Sequence, residues 1–476
     1  MKQFDAVVIG SGPGGYVCAI RLAQLGKKTA IIEKELIGGV CLNVGCIPSK
    51  ALIHASSQFW KIKNDFEEIG IEAKSPKLNI EKMQSWKKSV VNKLTSGVAN
   101  LLKMNGVEIV RGEARFVGKN SLEVKTKAGS ESLQAENIVV ATGSRVSEIP
   151  FLKTNGKNII TSTEALSLEE IPETLIVVGG GFIGLEIGTV YAKLGSKVTI
   201  IEAMDQLLPN TDKELVSVVE KKLKSFGVTV LTGAKVTALK ETDPAKSKLL
   251  HLDVESDKKQ TLEANTILVS VGRRPNSDNI GLEVAGVKLD GRGNVIIDQQ
   301  GKTSTQGVWA IGDVTGPPQL AHRAMMDGLI VAAGINGEKS YRDYKTVPWV
   351  VFSDPEIAAC GYTEKELTER GIQFHVGRFP FAASGRALST HETEGFVKVL
   401  IDKSNDAVLG VHIVGHEASN LIAEATLAIE MGACTEDIVR TIHSHPTLAE
   451  AFPESVEAAL GKAIHIYKPL TRRLDK

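Results

Sequence analysis

Short apolar runs that break off at glycine set the pattern of this chain. Ala6-Val7-Val8-Ile9 stops at Gly10, and Ile138-Val139-Val140-Ala141 runs out at Gly143. Leu175-Ile176-Val177-Val178 stops at Gly179, and Ile267-Leu268-Val269 leads to Gly272. Runs of this length and β-branched content read as strands buried on both faces. After the first and third run the apolar period becomes helical, through Tyr16 to Leu25 and again up to Leu194. Each helix leads into another strand: Thr29 to Ile32, closed by Glu33, and Lys197 to Ile201, closed by Glu202. Strand, helix, strand, written twice, predicts an α/β fold holding two copies of one unit. Ala51 to Trp60 and Met83 to Met104 carry helical spacing. Residues 107–135 alternate, with breaks at Gly112, Gly118 and Gly129, and predict a small antiparallel insert. Residues 294–314 read as a further strand module. Beyond a boundary at Tyr341 to Tyr344 lie strands at Val347 to Phe352, Phe396 to Asp402 and Val408 to Val414. Helices near Ser419 to Met431 and Glu454 to Leu460 complete a third unit of α+β type.

The glycine breaks carry chemistry. Gly10-Ser11-Gly12-Pro13-Gly14-Gly15 and Gly179-Gly180-Gly181-Phe182-Ile183-Gly184 both fit G-x-G-x-x-G between a strand and a helix. Glycines there let backbone approach a pyrophosphate at a helix N-terminus, and an acid at the next strand end accepts bonds from ribose hydroxyls. Glu33 follows Gly10 by 23 positions, and Glu202 follows Gly179 by the same 23. Two fingerprints at matched spacing predict two dinucleotides on one chain, and electron transfer between them. Glu202 would repel a 2′-phosphate, and Ala203-Met204-Asp205-Gln206 offers no arginine to receive one, so the second site is expected to take NAD rather than NADP.

Cys41 and Cys46 stand just downstream of the first fingerprint, in Gly38-Gly39-Val40-Cys41-Leu42-Asn43-Val44-Gly45-Cys46-Ile47-Pro48-Ser49-Lys50. Five residues of ideal helix rise about 7.5 Å, whereas bridged cysteines keep their Cα atoms within roughly 7 Å. Gly45 and Pro48 therefore predict a distorted turn running into a helix, with Pro48 in its first turn. Two unrelated buried thiols are the plain alternative, but the dinucleotide context favours a redox pair at a helix N-terminus. Near the far end, His443-Ser444-His445-Pro446-Thr447-Leu448-Ala449-Glu450 sets a histidine before a proline with a carboxylate five residues on. It reads as an oriented general base or as a structural histidine. Asp313, after Ala310-Ile311-Gly312, is placed either to cap the following helix or to reach a cofactor hydroxyl, and Leu320-Ala321-His322 opens that helix.

Composition narrows the field. At 476 residues with zero formal net charge, the chain has no general electrostatic pull toward nucleic acid or an anionic membrane. Five cysteines are too few for a disulfide scaffold, and no second Cys/His pair stands at zinc spacing. Cys18, Cys360 and Cys434 are expected to be buried structural thiols. A first strand close to Met1 and no long apolar run suggest a cytoplasmic protein with no leader and no membrane span.

These stretches together resemble the class I flavin disulfide oxidoreductases, over residues 5 to about 455. Gly38 to Cys41 and Ala382 to Ala387 are similar to a bacterial branch that serves 2-oxo-acid dehydrogenase complexes. The resemblance implies an FAD-binding domain at 1–146 and an NAD-binding domain at 147–274. It also implies a central domain at 275–344 that completes the FAD site, and a dimerisation domain at 345–476. It assigns Cys41 as the thiol that exchanges with substrate and Cys46 as the one against the flavin. Lys50 would lie beside flavin N5 with Glu186 as its partner. Gly10, Gly12, Gly15, Glu33, Gly39, Val40, Ala114, Thr142, Gly143, Ser144, Asp313, Leu320, Ala321 and His322 would contact FAD. Gly179, Gly180, Gly181, Phe182, Ile183, Gly184, Glu202, Val236 and Gly272 would serve NAD. His445, held by Glu450, would be the base for the disulfide of the other subunit, so a homodimer is implied. The implied substrate is dihydrolipoamide on the lipoyl domain of an acyltransferase or on a glycine-cleavage carrier protein, docked with a 2-oxo-acid dehydrogenase core. Rivals are disulfide reductases for glutathione, trypanothione or Hg(II), and a transhydrogenase or NADH oxidase without a paired disulfide. Glu202 argues against the NADP users among them, and Cys41, Cys46 and His445 against the last two.

Overall fold

The computed structural model describes residues 2–240 and 249–467. It divides into two compact units, one of residues 1–173, 238–250 and 264–343, the other of residues 174–237, 251–263 and 344–476. The last residues of the second unit lie outside the described ones.

In the first unit, β1 (Lys2–Ile9), α1 (Pro13–Gln24) and β2 (Thr29–Glu33) open the chain, followed by α2 (Gly39–Val44), α3 (Cys46–Asn64) and α4 (Ile80–Met104). Strands β3 (Glu108–Arg111), β4 (Glu113–Gly118), β5 (Ser121–Thr126) and β6 (Gly129–Val140) complete a seven-stranded sheet in the order β3-β2-β1-β6-β5-β4, with Val308–Ala310 beside β6. Pairings β1·β2, β2·β3, β1·β6 and β6 with Val308–Ala310 are parallel, and β4·β5 and β5·β6 antiparallel. Two sequence expectations change here. β3 joins the parallel sheet beside β2, not the antiparallel insert. Gly129 opens a strand that runs unbroken to Val140, because Gly129 to Gln134 pair with β5 while Leu133 to Val140 pair with β1.

The centre of β1 is fully buried at Ala6, Val7 and Val8. α1 packs against the helix Ala321–Ile335, where a Cβ on Gly14 would lie 2.8 Å from the Ala324 carbonyl oxygen. The strand module at 294–314 condenses to one three-residue strand and a 3-10 turn at Gly312–Thr315.

In the second unit, Thr174–Val178, Lys197–Ile201 and Thr229–Leu231 pair in parallel, with the helix Phe182–Leu194 between the first two. An antiparallel sheet follows, in the order Trp349–Val351, Glu356–Gly361, Val408–Gly415, Phe396–Asp402, Phe374–Pro380. The helices Ala418–Met431 and Ala451–Ala459 cover it. Its core includes Val397, Val399, Val411, Ile413 and Phe381, each at most 1 % exposed. Among the described residues, no helix is long and apolar enough to cross a membrane.

Candidate active site

The first glycine turn is held from two sides. Gly10 N–H donates to the Ile32 carbonyl at 2.8 Å, which brings the ends of β1 and β2 together. Glu33 then reaches back: its Oε2 accepts from the Ser11 amide at 2.9 Å and the Ser11 hydroxyl at 2.6 Å, and its Oε1 from the Glu35 amide at 2.8 Å. A Cβ on Gly15 would stand 2.0 Å from the Gly10 carbonyl oxygen, so only glycine allows that turn. The second turn repeats the arrangement. Gly179 N–H donates to the Ile201 carbonyl at 2.8 Å, and Glu202 accepts from the Gly180 amide at 2.7 Å and the Met204 amide at 2.8 Å.

Space at each turn suits a dinucleotide. A Cβ on Gly12 or on Gly181 would meet nothing within 4 Å, so the first turn of each following helix offers its backbone to open room. Phe182, Ile183 and Gly184 form that turn in the second unit. Both strand-end acids are nearly buried, Glu33 at 7 % and Glu202 at 9 % exposure, and their bonds to the turns fix the carboxylates at the nucleotide edge. These residues fit FAD at the first turn and NAD at the second.

The cysteines follow directly. Gly38 takes a positive φ of 95° and donates to the Ser11 carbonyl at 3.0 Å, bending the chain back onto the fingerprint. A Cβ on Gly39 would lie 2.7 Å from Gly12 Cα, so this contact also requires glycine. Val40 lies in the first turn of the short helix α2 and is exposed. Cys41 sits in α2, Gly45 breaks the helix at φ −139° and ψ −113°, and Cys46 begins α3 with Pro48 in its first turn. The distorted turn expected from sequence is a helix–break–helix. The Ser49 hydroxyl donates to the Cys46 carbonyl at 3.0 Å, and Asn43 Nδ2 donates to the carbonyls of Ile37 and Gly39. The thiols of Cys41 and Cys46 share a hydrogen bond. That bond and burial push the Cys41 thiol well above its ordinary pKa, while the Lys50 ammonium pulls it down.

Other predicted residues gather around the same unit. Thr142, Gly143 and Ser144 follow β6; Thr142 Oγ1 donates to the Asn276 carbonyl at 2.7 Å, and the Asn276 amide donates to Gly143 at 2.9 Å. The Ser144 hydroxyl donates to Asp313 Oδ2 at 2.5 Å. Asp313 does not cap the next helix: Leu320 occupies the N-cap position, with Ala321 and His322 in the first turn. The loop bearing Asp313 is tied down from below. The Gly312 amide donates to Asp327 at 3.2 Å, and Arg323 Nη1 donates to the Gly316 carbonyl at 3.0 Å. Ala114 is buried in β4, and Gly272, at φ 112°, accepts from the Ser147 amide at 2.9 Å.

In the second unit, Glu186 is buried and accepts from the Phe352 amide at 3.0 Å, and Val236 lies in the strand Lys235–Lys240. His445 Nδ1 stands 2.8 Å from Glu450 Oε1, and Glu450 Oε2 accepts from the Thr447 amide at 2.8 Å. Against burial, which would raise it, the Thr447 amide and His445 hold the Glu450 carboxyl below its ordinary pKa. A carboxylate only accepts, so Nδ1 carries the proton and Nε2 offers a lone pair. The His445 side chain is 79 % exposed, open to a reacting thiol. His443 is engaged with Glu424 at 2.7 Å instead.

Sequence reading missed Ser11, the variable position of the first fingerprint, which anchors Glu33. It also missed Arg273. Cys434 departs from expectation: it is half-buried, and its thiol donates to Asp437 at 3.1 Å at the start of the helix Thr435–Arg440.

Paired thiols beside one dinucleotide turn, with a second turn on the same chain, define a flavin-dependent disulfide oxidoreductase. The chain belongs to that family: the pyridine nucleotide-disulphide oxidoreductase model matches residues 4–328, and the dimerisation domain of the same family matches 347–456. It is 47 % identical to the dihydrolipoyl dehydrogenase of Geobacillus stearothermophilus, over 98 % of each chain, and 46 % identical to that of Bacillus subtilis, again over 98 % of each. Among solved structures it resembles the Escherichia coli HOCl-induced flavoprotein disulfide reductase RclA in its Cu(II) complex. That match has a TM-score of 0.85 and 29 % identity, over 96 % of this chain and 99 % of the other. LpdA of Mycobacterium tuberculosis superposes with a TM-score of 0.87 at 25 % identity, with the same coverage.

Proposed function

We propose that the chain is the dihydrolipoamide-oxidising, NAD-reducing subunit of a 2-oxo-acid dehydrogenase or glycine-cleavage complex, working as a cytoplasmic homodimer. The observation that carries the reading is the Cys41–Cys46 pair, hydrogen-bonded at a helix N-terminus and packed on the first dinucleotide turn. Near-full-length identity to dihydrolipoyl dehydrogenases supports the substrate.

A substrate thiol is only a few per cent ionised at pH 7. His445 Nε2 takes its proton, and Glu450 stabilises the imidazolium through Nδ1–H. In the dimer this base serves the cysteine pair of the partner subunit. The substrate thiolate attacks the Cys41 sulfur; the Cys41–Cys46 bond breaks, and Cys46 leaves as thiolate. The second substrate thiol, deprotonated in turn, attacks the first substrate sulfur, closes the lipoamide disulfide and frees Cys41. Bound FAD supplies two-electron acceptance from the reduced pair and hydride delivery to NAD⁺. Asp313 and the 142–144 turn would hold the flavin's ribityl side, and Glu33 its adenosine ribose.

Steady-state assay of the purified yellow protein tests the reading. NADH should form from dihydrolipoamide with NAD⁺, far more slowly with NADP⁺, and not at all in Cys46→Ser. Turnover of glutathione disulfide or of nicotinamide pairs, without dihydrolipoamide activity, would refute it.

A further inference from the structure

Arg273 lies in no motif, yet it is built into the edge of the first nucleotide site. It begins the short strand Arg273–Pro275, which pairs antiparallel with Ser144–Val146. Its guanidinium donates Nε–H to Ser144 Oγ at 2.7 Å and Nη2–H to the Ser144 carbonyl at 2.7 Å. The Ser144 hydroxyl donates onward to Asp313 Oδ2 at 2.5 Å. Arginine can only donate and a carboxylate only accept, so the hydroxyl proton is fixed toward Asp313. The three groups form one polarised relay.

The charge of Arg273 needs an explanation that strand pairing does not give. Backbone bonds from Ser147 to Gly272 and from Asn276 to Gly143 already join the two segments. Arg273 is half-buried, and drawing a guanidinium out of water is costly unless charge nearby offsets it, yet both Arg273 bonds above go to a neutral residue. Burial indeed pushes its pKa down, and what first opposes that push is charge on Asp313.

We propose that Arg273 is a positioning residue of the flavin site: through Ser144 it fixes the Asp313 carboxylate. The inference rests on the reading of Asp313 given above.

Arg273→Met, Arg273→Lys, Ser144→Ala and Asp313→Asn are compared in the full chain. FAD affinity is measured by titrating flavin-stripped protein and following flavin fluorescence. Arg273→Met should weaken FAD binding about tenfold, as the loss of one charged hydrogen bond does. Arg273→Lys, which keeps a donor, should recover part of that affinity, and Ser144→Ala should weaken binding about as much as Arg273→Met. Combining Arg273→Met with Ser144→Ala should weaken it no further, because both changes break one relay. Wild-type affinity in Arg273→Met, or losses that add in the double variant, overturn the proposal. If Arg273→Met does not fold, wild-type affinity in Ser144→Ala overturns it instead. Weak FAD binding in Asp313→Asn but not in Arg273→Met refutes this inference alone, and wild-type affinity in both refutes the flavin-site reading beneath it.

Discussion

His445 Nδ1 lies 2.8 Å from Glu450 Oε1, and that one bond settles which ring nitrogen can act as a base. Nε2 is left to take the proton, and the exposure of the side chain leaves it accessible. Replacing His445 with Gln should lower kcat with dihydrolipoamide by about 10²–10⁴-fold, the usual worth of a positioned general base. Glu450→Gln should cost less, because the amide can still accept from Nδ1–H without stabilising the imidazolium. NADH-dependent reduction of a small quinone that bypasses the thiols should be spared in both. Equal loss of that bypass activity would assign the pair to folding instead.

A second relationship concerns a lysine inside an apolar strand. Lys398 is 0 % exposed, and its ammonium bonds Asp212, Glu214 and Glu364, the last at 3.0 Å. These three carboxylates stand close enough to hold a cation, and the lysine fills that role. Arg378 adds bonds to Glu214 at 2.8 and 3.0 Å. Lys398→Met removes the buried cation and leaves the acids facing one another. Breaking such a group costs about 3–5 kcal/mol, and partial solvation of the acids places the loss near the lower end. The pH dependence has a definite sign. Against burial, Arg378 and Lys398 hold Glu214 below its ordinary pKa. Its contribution is therefore present above the ordinary carboxylate range and lost as pH falls through the lowered value. In Lys398→Met the cation behind that contribution is gone, so the gap from wild type in denaturant midpoint should hold at neutral pH and narrow as pH falls below the ordinary carboxylate range. A gap that stays constant would contradict the assignment.

Most of the first unit was legible because its signals are local. Gly10, Gly15 and Glu33 announce a turn at fixed offsets, and so do Gly179, Gly184 and Glu202. What escaped was set by tertiary pairing. β6 reads as two pieces because its first half, with exposed Glu131 side chains bonding Lys2, alternates, while Ile138 to Val140 is wholly buried. Glu356–Gly361 went unread because it is a short strand without clear alternation, and Phe374–Pro380 because Gly377, Arg378 and Pro380 interrupt its pattern. Asp313 carried two meanings in sequence; Leu320 at the N-cap of the next helix decides against capping, and the carboxylate instead accepts from Ser144, 169 residues away. Arg273 had one visible signal, a charged pair directly after a buried strand and glycine. The lysine at 398 had another, a cation in the middle of Val397 to Ile401.

Thiol labelling separates the five cysteines. Burial pushes Cys18 and Cys360 up to about 12, so neither forms thiolate at neutral pH. Iodoacetamide on the native, reduced protein at pH 8 should modify the Cys41–Cys46 peptide and Cys434, and leave Cys18 and Cys360 unmodified. Mass spectrometry of the digest gives the result directly. Modification of Cys18 before unfolding would mean that α1 parts from its neighbours in solution.

We propose that cofactor choice turns on Glu202. Its two oxygens are already committed to the Gly180 and Met204 amides, so the carboxylate is rigid as well as charged. A rigid acceptor rewards the two hydroxyls of NAD and repels a 2′-phosphate at the same place. Glu202→Ala should raise KM for NAD⁺ about tenfold or more, the worth of a charge-assisted hydrogen bond. The same change should lower KM for NADP⁺, with kcat for either cofactor little altered because the reacting ring lies far from the ribose edge. A fall in kcat with unchanged KM would place Glu202 in the turn's architecture and not in nucleotide recognition. Adding a cation at the next position, Ala203→Arg on the Glu202→Ala background, should then favour NADP⁺ further, since only the phosphate gives the guanidinium a partner.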